Sequence, residues 1–131
     1  MARREETYAV RCTTKVDPPR LPFARLKNAV LGKAYELSVA FVGDRRSHTL
    51  NLHYRNKDTS ANILAFPLSR KRGELIITLP RARREAVRFD MTYRIYVGYL
   101  FIHGLLHLKG FRHGGRMDKE EKRLLKRFSL V

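Results

Sequence analysis

The sequence predicts an α+β fold, a single domain over residues 1–131 in which a small mixed four-stranded sheet is covered by helices. Three observations carry this. The predicted elements run strand, helix, strand, helix, two strands, then helices. The segment Thr92 to Lys109 is apolar nearly all round, the pattern of a buried helix. The chain has 131 residues, 44% of them hydrophobic, enough for one core.

Tyr8 to Thr13 alternates apolar and polar residues and predicts the first strand. Asp17-Pro18-Pro19 breaks it, and Pro22 opens a helix to about Tyr35, with Phe23, Leu26, Ala29, Val30 and Ala34 on one side. Leu37 to Val42 is the second strand, closed by Gly43-Asp44. Asp44 or Ser47 caps a helix through Arg55, with Leu50 and Tyr54 facing inward. Lys57 to Ala61 is loop-like. Ile63 to Leu68 is a short strand whose Pro67 marks a strand end or a sheet edge. Ser69 to Gly73 is a turn and Glu74 to Leu79 a fourth strand, after which Pro80 opens a short basic helix. The long apolar helix follows, then a loop from Gly110 to Gly115. A final amphipathic helix, capped by Asp118, presents Leu124, Leu125 and Phe128.

Charge narrows the function. Lys and Arg number 28 against 12 Asp and Glu, a formal net charge of +16. An excess of this size points to a polyanionic partner, nucleic acid or an anionic surface. Arg70, Lys71 and Arg72, then Arg81, Arg83, Arg84 and Arg88, form two clusters flanking the fourth strand. They suit the backbone of an RNA strand better than a merely solvated face. The single cysteine, Cys12, excludes an intrachain disulfide and fits a reducing cytoplasm. No apolar run follows the charged N-terminus, so no secretory signal is expected, and Ile95 to Leu108 is too short to span a bilayer. The expectation is a soluble cytoplasmic protein without membrane association.

The chemistry concentrates in Phe101 to His113, F-I-H-G-L-L-H-L-K-G-F-R-H, which holds three of the five histidines. His103 and His107 are four apart, so on a helix they share one face, one turn from each other. Gly110 offers a helix stop, and His113 follows where the chain can return to the same point. A pair at this spacing also fits hydrogen-bonded core histidines. The third histidine beyond the glycine favours a metal site of three imidazoles with an open position, the pattern of catalytic zinc. In the H-E-x-x-H motif of metallopeptidases the glutamate after the first histidine is the general base. Here Gly104 stands there, which argues against a peptidase and leaves room beside the metal for a larger or highly charged substrate.

The segment His103 to His113 resembles the H-G-x-L-H-L-x-G-Y-D-H signature of the YbeY family of bacterial ribosomal-RNA maturation factors. A second block, L-N-L-H-Y-R-N-K-D-T-S-A-N-I-L-A-F-P from Leu50 to Pro67, resembles the family's L-N-x-x-Y-R-x-K-D-x-P-T-D-V-L-S-F-P. The run G-E-L-I-I from Gly73 resembles its G-D-I-x-I strand. The resemblance implies a zincin-like fold with one metal ion, zinc or another divalent ion, on His103, His107 and His113. It also implies single-strand-specific endoribonuclease activity in small-subunit ribosomal RNA processing and ribosome quality control. The partners would be ribosomal RNA and ribosomal particles, a small-subunit ribosomal protein among them.

The family's functional arginine falls on Arg55. A guanidinium offers forked donors to phosphate oxygens, so Arg55 is the candidate catalytic residue, positioning or stabilising a phosphate attacked by metal-activated water. Arg55, Lys57, Arg81, Arg83 and Arg84 are the candidate RNA contacts. The alternative is a non-catalytic assembly factor that binds ribosomal RNA and keeps a structural metal.

The sequence departs from the family pattern in two places beside the site. Arg112 replaces the usual acid before the third histidine, so Asp118 or a backbone carbonyl is expected to accept a ligand's second N–H. Ser60-Ala61 replaces Pro-Thr, which predicts a looser loop.

Overall fold

The computed structural model describes residues 2–5 and 7–130; Met1, Glu6 and Val131 lie outside them. The described residues form an α+β fold, with a mixed sheet and five helices. The four expected strands are present as β2 (Tyr8–Cys12), β3 (Glu36–Val42), β4 (Ile63–Ser69) and β5 (Arg72–Thr78). A fifth, β1 (Ala2–Glu5), extends the sheet by pairing antiparallel with β2. The spatial order is β1-β2-β3-β5-β4. The pairs β2–β3 and β3–β5 are parallel, and β4 returns antiparallel along β5. That leaves β4 as an edge strand, with a register shift between Pro67 and Ser69, as a proline without an N–H requires.

Alternation along the central strands sorts their side chains onto two faces. Leu37, Val39 and Phe41 of β3 join Leu75 and Ile77 of β5 in the larger core. There they meet α1 (Phe23–Leu31), α4 (Tyr93–Lys109) and α5 (Gly115–Arg127). Val42, Leu64 and Ile76 form a smaller cluster with Leu50 of α2 (Asp44–Arg55). A short α3 (Leu79–Arg88) lies between β5 and α4.

The helix α4 is the centre of the fold. Thr92 caps it by accepting the N–H of Ile95 at 3.2 Å, and Gly110 ends it at φ 107°. Tyr96, Val97, Leu100, Phe101, Ile102, Leu105 and Leu106 are all buried. Each large apolar side chain so placed contributes about 1.5–3 kcal/mol. Gly104 is buried for a different reason than the one expected. A Cβ there would stand 2.6 Å from Ile63 Cδ1 and 2.8 Å from Leu75 Cδ2. The glycine lets the histidine-bearing turn lie close on β4 and β5, so its primary effect is packing.

Some features differ from expectation. α1 stops at Leu31 because Gly32, at φ 88°, turns the chain out of the helix. α5 starts at Gly115, so Asp118 lies in its first turn and is not its cap. Tyr54 does not face inward: α2 buries Leu50 but leaves Tyr54 61% exposed beside the sheet edge. No helix among the described residues is long and apolar enough to cross a membrane.

Candidate metal centre

Helical spacing sets the first two imidazoles one turn apart, and His103 Nε2 lies 3.0 Å from His107 Nε2. The chain then reverses at Gly110. Its N–H donates to the His107 carbonyl and the Phe111 N–H to the Leu106 carbonyl, both at 3.0 Å, the paired bonds of a Schellman-type stop. This turn brings His113 back, with its ring centroid 5.1 Å from that of His103 and 4.8 Å from that of His107. One ligand nitrogen from each of the three lies within 4.8 Å of the others. His103 and His107 are half-buried and His113 is exposed, so the cluster opens to solvent on one side.

The outer nitrogens determine what the inner ones can do. His103 Nδ1 donates to Glu121 Oε1 at 2.8 Å, a carboxylate only 8% exposed. His107 Nδ1 donates to the Phe111 carbonyl at 3.2 Å, so the residue that closes the helix also orients this ring. Each acceptor fixes the Nδ1–H tautomer and leaves a lone pair on Nε2. Two lone pairs therefore face each other across 3.0 Å. A proton between them is disfavoured at His107, whose pKa is lowered by burial and by neighbouring His103 and His113. Neutral imidazoles with converging lone pairs are what a divalent cation needs, so the donor set fits a metal ion.

Glu121 was not among the expected residues. Its signal was present: an acid on the buried stripe of α5, between Met117 and Leu124-Leu125. Of the two acceptors expected, the backbone carbonyl is found, that of Phe111 on His107; Asp118 is exposed, and no hydrogen bond among the described residues reaches the His113 ring. Arg112 is exposed next to His113, and the two line a cavity of about 630 Å3 together with Lys109 and Arg116.

A cleft of about 660 Å3 joins the histidines to Arg55. Its walls are His103, Gly104 and His107 of α4, His113, edge strand β4 with the preceding Asn62, and Arg55 at the end of α2. The loop after Arg55 is tied to α2 by hydrogen bonds. Ser47 Oγ donates to the Ala61 carbonyl and accepts the Ala61 N–H, each at 2.9 Å. Asn51 Nδ2 donates to the Thr59 carbonyl at 2.9 Å.

Arg81 reaches the same loop, donating to the Ser60 carbonyl and hydroxyl, and its Nε donates to Glu85 Oε2 at 2.9 Å. Arg84 makes two bonds to Asp44, at 3.0 and 2.9 Å. Arg83 lies with its guanidinium carbon 5.3 Å from the Tyr93 ring centroid. Lys57 is exposed two residues beyond Arg55. Of the five expected RNA contacts, only Arg55 lines the cleft, while Arg81 and Arg84 are engaged within the fold.

A mixed α+β sheet carrying a central helix with two histidines, and a third returned by a glycine turn, defines a zincin-like protein. The particular family follows from the sequence match: the chain belongs to the endoribonuclease YbeY family, whose model matches residues 21–129. Proteins named endoribonuclease YbeY are similar to it. That of Neorickettsia sennetsu is 32% identical, over 76% of this chain and 78% of its own length. That of Oceanobacillus iheyensis is 30% identical, over 82% and 77%. That of Bacillus thuringiensis is 31% identical, over 82% and 88%. The solution structure of TM1509 from Thermotoga maritima shares the fold, with a TM-score of 0.65 at 20% identity over 91% of this chain and 87% of that one.

Proposed function

We propose that this chain, acting as one domain, is a metal-dependent, single-strand-specific endoribonuclease of ribosomal RNA processing and ribosome quality control. The observation that carries the reading is the shared cleft, lined by the three converging imidazoles and by Arg55. Family membership and the names of the relatives support it.

His103, His107 and His113 would hold the ion, for which zinc suits the all-imidazole set and another divalent metal is the alternative. Such an ion supplies Lewis acidity, polarising a phosphoryl oxygen and lowering the pKa of water. The remaining work falls to side chains of the chain. Arg55 directs its donors at the phosphate and stabilises the charge that grows on its oxygens as the pentavalent state forms. Glu121 and the Phe111 carbonyl hold two ligand rings in place. Glu121 is committed to His103, and Gly104 carries no side chain, so no glutamate of the H-E-x-x-H kind serves as base.

The basic surface gathers the RNA, with Lys57, Arg81, Arg83 and Arg84 as the proposed contacts besides Arg55. Arg81 and Arg84 would reach phosphate only by sharing or exchanging their present partners. Ribosomal particles in the cytoplasm are the proposed setting, with a small-subunit ribosomal protein as a further contact. Chelation followed by reconstitution tests the reading. Cleavage of single-stranded RNA should vanish with the metal and return with zinc, while duplex RNA and peptides stay intact. A fully loaded protein that leaves single-stranded RNA uncut would contradict it and favour the non-catalytic assembly factor.

A further inference from the structure

We propose that Tyr54 and Phe66 form a stacking platform for an unpaired nucleobase at the mouth of the histidine cleft. The proposal rests on the endoribonuclease reading and adds to it a base-binding subsite. Large aromatic side chains on amphipathic helices ordinarily face the core, and Tyr54 does not. It is 61% exposed at the end of α2, and Leu68 of β4, 59% exposed, lines a groove with it. Its ring centroid lies 5.3 Å from that of Phe66, and His53 stands edge-on to it at 4.6 Å.

Continuity with the cleft identifies the occupant. Phe66 lines the cleft that holds Arg55 and the histidines, and it also lines a neighbouring groove of about 360 Å3. That groove contains Tyr54, Leu68 and Leu50, with Arg46 and the carboxylate of Glu74 at its border. A strand whose phosphate lies against Arg55 reaches the Tyr54 ring by way of Phe66, which lines both the cleft and the groove. Alternating a phosphate-binding cation with a stacking ring is how proteins hold single strands without reading their sequence. A base inside a duplex is already stacked and paired, so the platform favours single strands over duplex.

Stacking on an aromatic side chain changes affinity by roughly 5- to 150-fold per base when the ring is removed. The protein has no tryptophan, so Tyr54→Trp introduces a single indole reporter at the platform. Its fluorescence is followed on rapid mixing with a single-stranded oligoribonucleotide and with an abasic strand of equal length. Anisotropy of labelled strands measures binding independently, for the wild type and for Tyr54→Phe and Tyr54→Ala.

The base-bearing strand should quench the indole and bind the wild type and Tyr54→Phe roughly 5- to 150-fold more tightly than the abasic strand. Tyr54→Ala should lose that preference. If RNA binds without quenching and Tyr54→Ala keeps its preference for bases, the platform is wrong, the endoribonuclease reading survives, and the apolar patch becomes a surface for a protein. If the wild type binds no single-stranded RNA, the endoribonuclease reading falls and the platform with it.

Discussion

At His103 the two ring nitrogens do different work, and Glu121 decides which does which. Replacing Glu121 by Gln keeps the shape and removes the charge that holds the Nδ1 proton. Metal affinity should fall roughly 10- to 100-fold, measured by competition with a chromophoric chelator. Unchanged affinity would mean that the contact only packs α5 on α4. Glu85 is a second buried acid, accepting from Tyr96, Arg81 and Asn62. Burial pushes its pKa up, but these bonds outweigh burial and hold it below the ordinary 4.5. The folded state thus binds fewer protons than the unfolded one. The stabilisation is present above about pH 4.5 and is lost as pH falls through the lowered value. Glu85→Gln should flatten the acid limb of a stability–pH profile followed by denaturant melts. The histidines were legible because four residues and a glycine stop are local facts. Glu121 and Glu85 were harder to read: Glu121 stands on the buried stripe of α5 but its partner His103 lies on α4, and Glu85, besides Arg81 on its own helix, takes Tyr96 and Asn62 from elsewhere in the chain.

At the scale of elements, α4 sits where it does because Gly104 allows it. Gly104→Ala should cost about 1–3 kcal/mol from overpacking against Ile63 and Leu75, seen as a lower thermal midpoint. If the midpoint is unchanged, the sheet yields freely and the close approach is not a constraint. The apolar run that predicted α4 was a strong signal, since it records burial directly, and the alternation of Tyr8 to Thr13 marked β2. The ends of α1 and α5 were weaker: Gly32 and Gly115 outrank the residues first assigned to those boundaries. Tyr54 misled for a physical reason. Its helical spacing from Leu50 is that of a core residue, but it lies beside β4, the last strand of the sheet among the described residues, where the ring stays exposed.

Across the whole molecule, a net charge of +16 should govern the encounter with RNA. Affinity for a single strand should fall linearly on a log–log plot against salt, with a slope near −0.7 for each phosphate neutralised. A flat plot would remove the electrostatic part of the account. The strand order could not be read from the sequence, because pairing β3 with β5 and sending β4 to the edge is a long-range choice. That order matters most for function, since it exposes β4 as one wall of the cleft opposite the histidines. The central claim is that the imidazoles hold a metal and that Arg55 acts on phosphate without holding it. Elemental analysis and single-stranded RNA cleavage, measured together on the wild type, His103→Ala and Arg55→Glu, test it most directly. The wild type should hold about one ion and cleave, His103→Ala should do neither, and Arg55→Glu should keep the ion without cleaving. A metal-loaded wild type that cuts no RNA, or an Arg55→Glu variant that cuts it as well as the wild type, would contradict it.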